Sequence, residues 1–346
     1  MLLNRPKLKL CHKLDRITWV LNELDENNTF GSNYNCVHID EAWYFMMADG
    51  RAIKVLPNAD GTYTVPEAPA VTSKRHIDKV MFIAALARPH PCYPSRRFGI
   101  EPATGKILMH PIVEEGVYTR GPLAGQQKVV NVSLNGEVYR RLIQEQVVPA
   151  IMENMWWHHR DARTPEAGKV IWIQQDGASP HTALRTQRSL GYYSSTSFFN
   201  RTGFRLQFVT QPARSPDLNV CDLTFWHSNK SRMKGRKWTT RQQLIDDIQL
   251  SWAEYEHTAL EKGWRLLYRV YQGILEDKGG NKYKKSSGDR KLQRQKLPPN
   301  TSCPEDLVQA GRLERARLSQ ELGYAQDRDI SSASEGEEDG SGSDYE

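Results

Sequence analysis

The chain has 346 residues, 38% of them hydrophobic and 25% charged, with a formal net charge of +6. That length builds a large core, and no run approaches the ~18 consecutive apolar residues of a membrane span, so a membrane-spanning protein is excluded. The last sixteen residues carry six acids and no base, which leaves residues 1–330 at +12 and points to a polyanionic partner, nucleic acid first, with ordinary solubility charge as the alternative.

In chain order, residues 13–24 read as an amphipathic helix with Leu14, Ile17, Leu21 and Leu24 on one side. Cys36 to Met47 reads as a strand, Val37, Ile39, Glu41, Trp43 and Phe45 on one face and His38, Asp40, Ala42 and Tyr44 on the other. Asp40 and Glu41 therefore point to opposite faces, and at most one is expected to join a mid-strand site. Asp49-Gly50 signals a hairpin with Arg51–Leu56 returning. Lys79–Ala87 and Lys106–Val113 are further strands, with a surface loop from Arg88 to Thr104 and a Gly-containing connection from Glu114 to Lys128. Asn135 caps a helix that Pro149 kinks or ends. The Trp156-Trp157-His158-His159 cluster reads as packing and a solvated turn.

Val170–Gln175 is a nearly continuous apolar run, the pattern of a strand buried on both faces. Asp176 ends it, Ser179 is placed to cap, and a helix is expected from Pro180 to about Leu190. Strand–acid–helix is where open α/β sheets carry chemistry, although Asp176 read alone is equally a turn former. Residues 191–203 read as a loop, and Phe204–Phe208 as another strand. A Pro-punctuated turn from Gln211 to Asn219 leads into a helix with Asn219, Asp222 and Trp226 on one face. Thr240 and Gln243 form a capping box for the next helix, another spans about 259–276, and Lys278–Lys296 is dense in bases. The five cysteines are scattered, without zinc-ligand spacing, which suits a reducing compartment.

Three acids stand out: Asp40 within a strand, Asp176 at the end of another, and Asp222 in the first turn of a helix. Carboxylates converging on a mixed sheet suit hard divalent cations, and a pair of such ions clamps the attacking and leaving oxygens of a phosphoryl displacement.

Val37-His38-Ile39-Asp40-Glu41-Ala42-Trp43-Tyr44, Ser73–Phe82, Gln175-Asp176-Gly177-Ala178-Ser179-Pro180-His181, Ser215-Pro216-Asp217-Leu218-Asn219 with Asp222 and Trp226, and Gly279-Gly280-Asn281-Lys282-Tyr283-Lys284 occur in the order of motifs of the mariner-like DNA transposases. The chain resembles that family over roughly residues 10–300. The resemblance implies an α/β, RNase H-like mixed sheet flanked by helices, with a helical C-terminal extension. It implies Asp40, Asp176 and Asp222 as catalytic residues and ligands of two Mg²⁺ or Mn²⁺ ions, with Glu41, His181 and Asn219 as supporting groups. It implies hydrolysis of DNA and attack of the freed 3′-hydroxyl on target DNA, a homodimer, nuclear localisation, and no small-molecule substrate. Lys230, Arg232, Lys234, Lys282, Lys284 and Lys285 are the bases expected to contact DNA.

The expected organisation is an N-terminal helix and linker over 1–34, the catalytic core over 35–238, a helical basic part over 239–300, and a mostly disordered acidic tail over 301–346. The pattern departs from the family at Ala42, where Lys is frequent, and at Gly177, where Asn is frequent. The interval from Asp176 to Asp222 is long, and Asp40 comes too early to leave room for the family's N-terminal helix-turn-helix. A domesticated or decayed DNA-binding relative that does not cut is therefore the alternative, and a nuclease for RNA–DNA hybrids is a third reading.

Overall fold

The computed structural model describes residues 6–46, 78–90, 103–155, 170–283 and 301–324. Its centre is a five-stranded sheet. The strands are β2 (Cys36–Phe45), β3 (Lys79–Ala87), β4 (Lys106–Pro111), β7 (Val170–Gln175) and β8 (Arg205–Thr210), in the spatial order β4-β3-β2-β7-β8. β2 lies antiparallel to β3 from Val37↔Ala87 to Phe45↔Lys79 and parallel to β7 from Cys36↔Trp172 to His38↔Gln174. β7 and β8 are parallel in register from Val170↔Arg205 to Gln175↔Thr210. β2 is thus the pivot between an antiparallel and a parallel half.

Strand alternation sorts the core into two layers. On one face Ala42, Tyr44, Val80, Phe82, Ala84 and Leu86 pack with apolar residues of helices α1 (Leu10–Asn22), α7 (Trp226–Arg232), α8 (Arg241–Ala253), α9 (His257–Glu276) and α10 (Glu305–Glu321). On the other, Val37, Ile39, Ile83, Ala85, Ile171, Ile173 and Leu206 meet α2 (Gly136–Leu142), α3 (Val148–Asn154) and the segment after β7.

Local sequence explains many boundaries. Asn135 accepts from the Glu137 and Val138 amides and starts α2. A π-helical turn, Ile143–Val147, precedes α3, where Pro149 has no amide to donate to the preceding turn. Thr240 caps α8 by accepting from the Gln243 amide, but the Gln243 carbonyl oxygen accepts from the Thr239 amide and hydroxyl, so the expected box is displaced by one residue.

Several expectations are corrected. The partner along the whole of β2 is β3; Asp49-Gly50 and Arg51–Leu56 lie outside the described residues, as does the Trp156–His159 cluster. Glu114–Lys128 is largely a β-hairpin, β5 (Val113–Val117) with β6 (Gln127–Asn131), paired in continuous antiparallel register from Val113↔Asn131 to Val117↔Gln127. Trp172 is 42% exposed, so β7 is covered on both faces only towards its carboxyl end. The helix after Asp176 breaks at Ala183 (ψ 135°) into α4 (Ser179–Thr182) and α5 (Leu184–Gly191), and its N-cap is Ala178 rather than Ser179. Residues 191–203 are mostly helical: a 3₁₀ turn, then α6 (Thr196–Thr202), capped by Ser195 and carrying Phe198 into the core. Arg88, expected on a surface loop, is buried, bonded to Glu261, the Ser32 carbonyl and the Tyr268 hydroxyl. Within the tail expected to be mostly disordered, where helix formers recur from Pro298 and especially from Leu313 to Leu322, residues 305–321 form α10, which packs on α1 and α9; residues 325–346 lie outside the described residues.

Chain ends and middle are joined by a buried ionic knot. Arg16 of α1 is fully buried, and its Nη1 and Nη2 donate to Asp217 Oδ1 (2.7 Å) and Oδ2 (2.9 Å). Its Nε and Nη2 also donate to the carbonyls of Gly279 and Gly280, each at 3.1 Å, and the Tyr283 hydroxyl donates to Asp217. Gly279 has φ +78° and lies against the Lys13 carbonyl of α1, so the turn after α9 needs glycine twice over.

Removing one partner strands a buried charge, which costs roughly 3–5 kcal/mol. Arg16→Met and Asp217→Asn are each expected to lower the unfolding free energy by about that amount in urea titrations. The double variant Arg16→Met/Asp217→Leu should lose clearly less than the two single losses added; full additivity would deny the coupling.

Candidate active site

Asp40 lies midway along β2, where its Oδ2 accepts from Trp226 Nε1 at 2.7 Å. Burial, with the charges of Asp222 and Glu41 beside it, holds its carboxyl well above the usual carboxylate range despite the indole bond. Asp222 is exposed, in the first turn of a π-helical segment, Cys221–Phe225, that runs into α7. That segment is tied to β2 at two points. Asn219 Nδ2 donates to the Ile39 carbonyl (3.0 Å) while its Oδ1 accepts from the Cys221 amide (2.9 Å). His38 Nδ1 accepts from the Val220 amide at 2.9 Å, and burial pushes this imidazole down to about 3, so it is neutral and an acceptor. Gln174 of β7 adds a third tie, donating to the Leu218 carbonyl at 2.8 Å. Asp40 and Asp222 are thus brought together by bonds from the residues just before each of them.

Asp176 immediately follows β7, and its Oδ1 accepts from the Ala178 amide at 3.0 Å. The parallel pairing of β2 with β7 ends at His38↔Gln174, two residues before Asp40 and two before Asp176. The Asp176 carboxylate faces His181: Oδ1 is 2.7 Å from Nδ1, and the imidazole Nε2 lies 3.5 Å from Glu41 Oε1. The imidazole lies against the Tyr139 ring at 4.1 Å, and the Tyr139 hydroxyl donates to Gln175 Oε1. Desolvation would lower His181, but its bond to Asp176 and the charge of Glu41 overcome this and push it up to about 10; in turn the His181 bond holds Asp176 below its ordinary value.

Asp40 and Glu41 point to opposite faces, as strand parity requires: Asp40 accepts from Trp226 and feels the charge of Asp222 on one, and Glu41 lies 3.5 Å from the His181 imidazole on the other. His38, Gln174 and Tyr139 escape sequence reasoning; the signal for the first two is a polar residue at a buried strand position.

The expected DNA contacts divide. Lys230 is drawn to the acids: burial pulls its pKa down while Asp222 and Asp40 push back, and its amino group is 5.4 Å from the centre of the Tyr44 ring. Lys230, Arg232, Lys234 and Lys282 are all exposed, and the Arg232 guanidinium lies over the Tyr255 ring. Lys284 and Lys285 lie outside the described residues.

Among the described residues, no three His, Cys, Asp or Glu side chains come close enough to hold one metal ion. The donors nevertheless fit one in kind: all-oxygen ligands of a hard divalent cation, with Asp40 and Asp222 crowded in a way that a cation relieves.

No protein-family model matches the sequence, and no curated protein is similar to it. Solved structures are. The Mos1 mariner paired-end complex with Mn has a TM-score of 0.54 at 14% identity, over 80% of this chain and 65% of that chain. A pre-cleavage Mos1 transpososome gives 0.51 at 14% identity, over 80% and 66%, and the Mos1 paired-end complex with Mg gives 0.50 at 14% identity, over 82% and 66%. The chain has the RNase H-like fold of the Mos1 mariner transposase. It spans 65% of the length of the Mos1 chain in the complex with Mn. In this RNase H-like core, the central strand carries Asp40 and its parallel neighbour ends at Asp176.

In metal-free protein, the His181 imidazole is expected to titrate near 10 by NMR, and Asp176→Asn should bring its midpoint down by at least a unit. Because the folded value exceeds the ordinary 6.5, the pair stabilises the fold fully below about pH 6.5, and that stability is lost as pH rises through about 10. A midpoint near 6.5 in the intact protein would show that the Asp176–His181 pair does not form.

Proposed function

We propose that this chain is the catalytic core of a metal-dependent DNA transposase, which hydrolyses phosphodiester bonds and joins DNA strands. The observation that carries the reading is the meeting of Asp40 and Asp222, far apart in sequence, beside the strand that delivers Asp176. The likeness to Mos1 structures solved as paired-end complexes supports DNA as the substrate. Two divalent cations, Mg²⁺ or Mn²⁺, held by Asp40, Asp176 and Asp222, would supply activation of the attacking oxygen and neutralise charge on the phosphate.

The chain's own residues divide the rest of the work. Trp226 fixes one oxygen of Asp40. Asn219 and His38 set the distance between β2 and the segment bearing Asp222. His181 bridges Asp176 and Glu41, so engagement of Asp176 with a cation requires it to exchange one partner for another. Lys230, beside Asp40 and Asp222, offers a counter-charge that a metal cation would replace. On this reading the protein acts as a homodimer in the nucleus, and residues 35–238 form the catalytic unit.

A second reading, a DNA-binding relative that does not cut, is favoured by the way His181 occupies Asp176. Nicking of supercoiled plasmid in Mn²⁺ or Mg²⁺ separates the two. The enzyme reading expects metal-dependent nicking that Asp40→Asn, Asp176→Asn and Asp222→Asn each reduce by ~100-fold or more, the scale on which groups stabilising a transition state act. DNA binding without nicking, insensitive to the metal and to these substitutions, would establish the binder.

A further inference from the structure

We propose that the segment between the second and third acids, residues 177–216, forms a DNA-backbone docking face that leads into the site; this rests on the DNA-processing reading above. The segment holds five arginines, Arg185, Arg188, Arg201, Arg205 and Arg214, and neither a lysine nor an acid. It therefore carries +5 in forty residues, against +6 for the whole chain. The acids that bound it are both engaged: Asp176 by His181 within the segment, and Asp217 by Arg16 outside it.

The fold turns this composition into a surface. On α5, Thr186 and Leu190 are buried, which leaves Arg185 and Arg188 exposed, with Tyr192 following at the same helical spacing. Tyr192 is 40% exposed, and the Arg201 guanidinium lies 5.6 Å from its ring centre. None of Arg185, Arg188, Arg201 and Arg205 forms an ion pair with a described acid. The aromatic residues Tyr193, Phe198 and Phe204 beneath them are core, so the arginines are mounted on a rigid base. Unpaired guanidiniums match phosphate by bidentate bonding, and an exposed aromatic ring with a stacked guanidinium suits a base at a strand end. Gln187 of α5, between Arg185 and Arg188 in sequence, donates to the His181 carbonyl at 2.6 Å, so the face adjoins the residue that pairs with Asp176.

The test is binding of a fluorescein-labelled DNA duplex of about 30 base pairs in EDTA, titrated at several salt concentrations, so that cleavage plays no part. Arg185→Gln/Arg188→Gln is expected to make the slope of log affinity against log salt shallower by about 2, close to one unit for each phosphate no longer neutralised. The charge-matched control Lys262→Gln/Arg312→Gln, on α9 and α10, should leave the slope unchanged. Arg201→Gln alone should make it shallower by about 1, and serves if the double variant does not fold. An unchanged slope in the arginine variants, an equal change in the control, or tighter binding of an RNA duplex of the same sequence through the same arginines would overturn the proposal. A shallower slope in a protein that never nicks DNA would overturn the transposase reading and leave this face standing.

Discussion

The structure depends on a guanidinium withdrawn from water. Burying Arg16 carries a desolvation cost of several kcal/mol, offset because each of its three nitrogens finds an acceptor among the two carboxylate oxygens of Asp217 and the carbonyls of Gly279 and Gly280. The consequence is geometric. Asp217 lies in the turn that leads to Asp222, Arg16 belongs to the first helix, and Tyr283 follows the longest one. A single buried ion therefore fixes where the third acid's segment begins, and ties residues from three distant parts of the chain to that choice.

From that anchor the site is assembled by neutral hydrogen bonds rather than by ion pairs. His38, Asn219 and Gln174 all bond to backbone between Leu218 and Cys221 or to β2, and all are buried. A neutral imidazole and two amides position Asp222 without adding charge, while Asp222 and Asp40 both act on Lys230. The other side of the site is arranged differently. There a protonated His181 lies between Asp176 and Glu41, so one carboxylate is balanced while the other two are crowded. This asymmetry divides the site into a half that attracts cations and a half already supplied with one.

The surroundings extend the same electrostatic pattern. Asp40 lies within the central strand, Asp176 follows its parallel neighbour, and among charged side chains besides His181 the connection from Asp176 to Asp217 carries arginines alone.

The sequence by itself determined the strands and the candidate acids. Alternation is a property of each strand alone, so β2, β3 and β7 are legible almost to the residue, as are the Asn135 and Thr240 caps and the positions of Asp40, Asp176 and Asp222. What depends on residues distant in sequence is not legible. Arg16 is off the apolar stripe of its helix and reads as solvated; only Asp217, far along the chain, makes its burial tolerable. Arg88 is hidden for the same reason, by Glu261 and Tyr268. Strand parity turns Glu41 away from Asp40, and it is a helix folding back over the sheet that brings His181 to it. Local periodicity states which way a side chain points. Whether another element waits there, with the charge or hydrogen bond to receive it, was decided only by the tertiary structure.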